Sequence, residues 1–193
     1  MRLDALLLAS AVAAAPFAGA LAADPWNLDK SHAHVTFRAD HLGFSMVQGW
    51  FREFDADIRF DPENIEATEI RFTIKTASVD TAWPDRDRHI RSADFLNADA
   101  HPEITFVSTA VRQTGDNTAE VTGDLTMVGQ TRPVTFEATL VKIGPSPFNP
   151  AKTIAGFVAE GEIVRADWGI TFGGDAFAAR VPVRIDLEMS PAR

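Results

Sequence analysis

Eight stretches of this chain alternate apolar and polar residues with a period of two, which restricts the fold to sheets with one dry and one wet face. Val35, Phe37, Ala39 and His41 share one side of a strand, with Thr36, Arg38 and Asp40 on the other. Phe54, Ala56, Ile58 and Phe60 repeat the pattern, as do Ile70, Phe72 and Ile74. It returns at Ile104 and Phe106, at Val121, Gly123, Leu125 and Met127, and at Val134, Phe136, Ala138 and Leu140. The last two segments are Phe157–Ile163 and Val181–Met189. Asp61-Pro62-Glu63-Asn64, Gly115-Asp116-Asn117 and Val128-Gly129-Gln130 stand between segments, where such residues supply tight turns. The spacing predicts an antiparallel meander. Nothing resembling a linker or repeat divides residues 23–193, which read as one domain.

Eight one-faced strands can stack as a sandwich or close as a barrel, and the pattern alone leaves both open. Closure removes exposed edges, and an eight-stranded barrel can hold one small ligand. Small residues on the apolar faces (Ala39, Ala56, Gly123, Ala138, Ala159, Gly161) would leave room inside, or would simply make space for neighbouring phenylalanines. One segment, Asp80 to Asn97, breaks the alternation. Pro84 suits a first helical turn, and Asp85 and Asp87 favour the positive end of a helix. A short helix is expected there, with Ile90 and Phe95 packed on the end of the sheet structure.

Residues 1–22 read as a cleavable secretory leader. Arg2 opens it, Ala5 to Ala20 are apolar or small apart from Ser10 and Pro16, and Ala20-Leu21-Ala22 fits the cleavage rule. Beyond it no apolar run is long enough to span a bilayer. The chain has no cysteine, so disulfides, thiolate nucleophiles and a lipoprotein anchor are excluded. Its formal charge of −9, with both signs interspersed, disfavours nucleic acid and anionic membrane surfaces as partners.

Chemistry is harder to assemble from the residues. The 5 histidines include His32 and His34, which would point the same way on a strand. Spacing supplies no third ligand, and by parity His41 faces the other way, so no metal is expected. There is no Gly-x-Ser-x-Gly elbow for a nucleophile. Asp85-Arg86-Asp87-Arg88 could grip a phosphate, although such alternating charges are usually paired with each other. The aromatics say more: 14 phenylalanines and 4 tryptophans occur with no tyrosine. Phe37, Phe72, Phe106, Phe136 and Phe157 each lie on the apolar face of a strand and are expected to line an interior. His41, Phe44, Arg86 and His89 lie at strand ends or in the helical block and are expected near its mouth.

Asp29-Lys30, His32-Ala33-His34-Val35-Thr36-Phe37, His41-Leu42-Gly43-Phe44-Ser45, Gly49-x-Phe51 and Ser78-Val79-Asp80-Thr81 resemble the YceI family of periplasmic proteins. The block from Arg86 to Leu96 is the most specific part of that likeness. Pro102-x-Ile104-Thr105-Phe106-x-Ser108, Gly123-Asp124-Leu125-Thr126 and Thr131-Arg132-Pro133-Val134 continue it in order. The resemblance implies an all-β, lipocalin-like, eight-stranded antiparallel barrel with a short helix at one end. It also implies a periplasmic location and an apolar partner, of polyisoprenoid, quinone or fatty-acyl type, with no cofactor and no shared catalytic centre. The rival expectation is a periplasmic hydrolase or isomerase using His41 or His89 as general base. A third is a stress-related or structural protein with an incidental cavity.

Overall fold

The structure, a computed structural model, describes residues 23–192; the expected leader lies outside the described residues. Ten strands follow one another. They are β1 (Pro25–His41), β2 (Ser45–Phe51), β3 (Phe54–Arg59), β4 (Glu69–Lys75) and β5 (Val79–Asp80), then β6 (Glu103–Gln113), β7 (Thr118–Met127), β8 (Gln130–Pro145), β9 (Thr153–Val164) and β10 (Arg180–Pro191). All pairings are antiparallel.

The ten segments build eight walls. β2 and β3 pair with successive parts of β1, as one strand interrupted at Arg52-Glu53. β4 and β5 pair with β3 and β2 in turn, as a second strand interrupted at Thr76–Ser78. The two breaks face each other and are tied by backbone: Arg52 N–H donates to the Ser78 carbonyl and Lys75 N–H to that of Glu53. The remaining strands follow in chain order, and β10 pairs with β1 to close the ring. This closed eight-stranded antiparallel barrel resolves the choice against the sandwich. Among the described residues no helix is long and apolar enough to cross a membrane.

One end of the barrel, here called upper, carries the β1–β2 turn, the helix α1 (Pro84–Arg91) and the connection between β9 and β10. Pro84 starts α1 as its composition predicts, and Ile90, Phe95 and Leu96 pack inward with Leu125, Ile163, Trp168 and Ile170. The lower end is stoppered by aromatic rings: Trp26 meets Phe60 edge-on at 5.3 Å, and Phe60 meets Phe157 at 5.2 Å. Ala155 and Met189 complete that cluster.

Of the two readings of the small residues, packing decides two cases. A methyl group added at Gly123 would fall inside the Phe106 ring and against the Val107 carbonyl. At Gly161 it would come 2.6 Å from the Phe136 ring. Both glycines are seats for rings from adjoining strands, and the two rings themselves meet edge-on at 5.6 Å. Ala138 and Ala159, by contrast, border open interior space. Because backbone as well as a ring opposes a side chain at Gly123, Gly123→Ala should destabilise the barrel by about 1–3 kcal/mol. Urea denaturation would measure it; an unchanged midpoint would show that the ring moves aside freely.

Candidate functional site

The apolar faces converge on a cavity of about 340 Å³ within the barrel. Phe37, Phe72, Phe106, Phe136 and Phe157 all line it, which is where strand parity places them. Phe51, Phe60, Phe95 and Phe177 add further rings, and Val35, Ile74, Val121, Leu125 and Val183 fill the wall between. Polar side chains reach it in few places. Thr36, Asp40 and Arg165 belong to the upper half, and Thr68, Asn117 and Thr118 to the lower. Such a site satisfies a long apolar chain by burial and offers few directional contacts.

Asp40 and Arg165 are both engaged by backbone groups. The Asp40 carboxylate accepts the Gly43 N–H at 2.7 Å, which holds the β1–β2 turn. Arg165 is buried, and its partners among the described residues are backbone carbonyls. Its Nε donates to the Ala178 carbonyl at 2.9 Å, and Nη1 to those of Ile170 and Phe172, each at 2.9 Å. Nη2 donates to Gly174 at 2.7 Å and to Phe177 at 3.4 Å. A guanidinium has five N–H donors, and here five carbonyls receive them. The β9–β10 connection is thereby wound around one side chain and folded over the upper opening. Trp168 within it is 2% exposed and donates its Nε1–H to the Leu125 carbonyl at 3.2 Å.

The four residues expected at the mouth separate. His41 is exposed, with its ring 6.5 Å from Phe177. Phe44, on the β1–β2 turn, is 87% exposed. The His89 ring stands edge-on to Phe95 at 5.0 Å and to Phe172 at 4.9 Å, and its Nε2 pairs with Asp94 at 3.0 Å. These three surround the upper rim but are not part of the cavity wall. Arg86 is turned away from it: Nε donates to Thr81 Oγ1 and Nη2 to the Thr81 carbonyl, each at 2.7 Å. The buried Asp87 accepts the Thr81 N–H at 2.8 Å, so this pair of helix residues secures the turn before α1. Arg88 pairs with Asp85 at 2.6 Å. Within the Asp85–Arg88 run the outer two residues thus pair with each other, while Arg86 and Asp87 both bond Thr81.

His32 and His34 do not act together either. Three extra residues bulge from β1 where its pairing with β10 shifts between Asp29 and His34. His32 Nδ1 lies 3.0 Å from Asp29 and 4.0 Å from Glu188. These three groups bring potential ligand atoms within 4.8 Å of one another, a set that spacing did not supply. Asp29 also accepts from the Ser31 hydroxyl and N–H. The Ser31 hydroxyl, then His32, hold its carboxyl down to about 2, and Asp29 in turn raises the His32 imidazole. The arrangement is a clip across the bulge.

A closed meander barrel around an apolar interior is the architecture of a small-ligand binding protein. Residues 26–189 match the YceI-like domain family model, and the chain belongs to the YceI family. Protein YceI of Escherichia coli is 46% identical over 155 residues, which span 79% of this chain and 80% of that one. The crystal structure of BcnA from Burkholderia cenocepacia superposes with a TM-score of 0.76 at 25% identity, covering 84% of this chain and 99% of the other. A domain of Saccharophagus degradans described as polyisoprenoid-binding shares the fold, with a TM-score of 0.65 and 14% identity, over 88% of this chain and 99% of its own.

Arg165 was missed at the sequence level, and the geometry makes a sharp demand on it. Lysine has three donors on one nitrogen and cannot reach five carbonyls spread over the connection. Arg165→Lys should cost about 1–3 kcal/mol through the carbonyls left unpaired. Hydrogen exchange should rise in residues 166–178 while β6 and β7 stay protected. Unchanged protection of that connection would remove Arg165 from its role.

Proposed function

We propose that this protein is exported through a cleaved leader to the periplasm, where its barrel carries a long apolar chain of polyisoprenoid or isoprenoid-quinone type and catalyses no reaction. The observation that carries this reading is the continuous apolar wall of the cavity, with five strand-borne phenylalanines along it and polar groups confined to a few positions. Each methylene moved from water into such a wall contributes about 0.8 kcal/mol. A few prenyl units therefore suffice for tight binding without charged contacts. The rings suit an unsaturated chain, whose flat segments can lie against aromatic faces. The family and the fold support a binding protein, and the relative described as polyisoprenoid-binding supports this ligand class.

The binding residues on this reading are Phe37, Phe72, Phe106, Phe136 and Phe157, with His41, Phe44 and His89 around the upper rim. General-base chemistry at His41 or His89 finds less support. Both are exposed and outside the cavity wall, and the partner of His89 is Asp94, which is itself about half exposed.

Mass spectrometry of protein purified from the periplasm of an exporting host tests both halves of the proposal. The chain should begin at Ala23, and organic extraction should release an isoprenoid lipid. A fatty-acyl lipid instead would keep the carrier and replace the isoprenoid. Retention of residues 1–22 would remove the export reading.

Ala138 borders the cavity, so Ala138→Trp should fill space that the ligand needs. Co-purified lipid should fall several-fold while stability changes by less than about 1 kcal/mol, because open space tolerates bulk that a packed core does not. A loss of about 1–3 kcal/mol, with no lipid recovered from the wild type, would identify the interior as plain core.

A further inference from the structure

The barrel wall is interrupted between β1 and the strand beside it. Between the pairs Trp26↔Ile58 and Val35↔Phe51, no register pair joins β1 to the strand beside it. Residues 27–34 of β1 thus run past 52–57 without a ladder. The bulge at 30–33 loosens β1 from β10 over the same stretch. The bulges at Thr109 in β6 and Val141 in β8, by contrast, are single extra residues with register pairs on either side.

A cleft of about 750 Å³ occupies this split on the outside of the barrel. Its lining includes Lys30, His34, Trp50, Arg52 and Asp55, and also Val35 and Phe51. Those last two line the internal cavity as well. One layer of side chains therefore separates a polar cleft from the apolar interior. What spans the split is a side-chain contact: Lys30 Nζ lies 2.6 Å from Asp55 Oδ2, both groups being more than half exposed. An exposed ion pair holds far more weakly than a run of ladder hydrogen bonds.

The two ends of the barrel are poorer doors. The lower end is blocked by Trp26, Phe60 and Phe157, and the upper by a connection bound to Arg165 at five points. We propose that the split between β1 and β3 is a lateral portal, through which the apolar chain passes between Val35 and Phe51 while its polar end stays in the cleft. The Lys30–Asp55 pair is the latch. The cleft's cations are already matched, Lys30 by Asp55, Arg52 by Asp80 and Lys75 by Glu103. An uncharged hydrogen-bonding head, such as an alcohol or a quinone carbonyl, suits it better than a phosphate. The portal rests on the carrier reading.

The chain's lack of cysteine makes a direct test clean. Lys30→Cys with Asp55→Cys is purified folded and delipidated, then bridged across the split with dibromobimane. The control bridges Thr122→Cys with Thr135→Cys, which are register partners on the continuous β7–β8 wall with hydroxyls 2.9 Å apart. The probe is retinol, a fluorescent isoprenoid alcohol, delivered from phosphatidylcholine vesicles. Bridging 30 to 55 should slow retinol loading and release at least tenfold relative to the unbridged variant, and bridging 122 to 135 should leave both unchanged. In the unbridged chain, Asp55→Ala should speed release several-fold, and exchanging the two charges (Lys30→Asp with Asp55→Lys) should restore the slow rate. Equal rates in all of these would overturn the portal and leave the carrier standing. A wild type that binds no retinol and yields no lipid would overturn the carrier, and the portal with it.

Discussion

Strands β1 and β10 are paired with each other from Trp26↔Pro191 to Phe37↔Val183. That seam turns a ten-segment meander into a ring, and the interior depends on it. An open sheet of this length would leave two edges of unpaired N–H and C=O groups. It would also leave one face needing cover from a second layer that the chain does not provide. Closure makes each strand's dry face the cover for the strands opposite. The seam is made although three residues of β1 are squeezed out of register, and the clip of Asp29, Ser31 and His32 holds the excess chain outside the ring.

Closing a barrel does not by itself decide whether the inside is full or empty. Large rings here are set into gaps left by glycine on adjoining strands, as Phe106 is by Gly123 and Phe136 by Gly161. Rings seated in such gaps need less of the interior than rings packed against a full side chain. Alanines at 138 and 159 then face space instead of a neighbour. The same total of apolar side chains, distributed evenly, would meet at the centre and close the cavity.

Much of this was legible as a pattern of twos. The eight alternating segments correspond to the eight walls, and parity put five phenylalanines on the inside without any knowledge of which strands pair. Parity is a local property, so it survives ignorance of the fold. What it missed are features made by distant backbone. Arg165 stands in no motif, because its five partners are carbonyls, which every residue has. Arg86 and His89 lie three apart in an eight-residue helix, yet Arg86 is taken by Thr81 and His89 faces the aromatic rim. The strand read as starting at Val35 begins at Pro25, since the bulge at 30–33 hides the alternation of its first part. Nor does the broken pairing beside it leave a trace in residue types, because mixed charges on a strand look alike whether or not a neighbour is bonded.

The manner in which the upper connection is held has an environmental consequence. A guanidinium keeps its proton, and a peptide carbonyl neither gains nor loses one, at any pH a cell meets. A lid pinned by a carboxylate or an imidazole would loosen as its partner titrated. Among the described residues Arg165 bonds backbone carbonyls here, and its burial shields it from dissolved salt. The hold of Arg165 on the connection therefore loosens only as these carbonyl bonds themselves break.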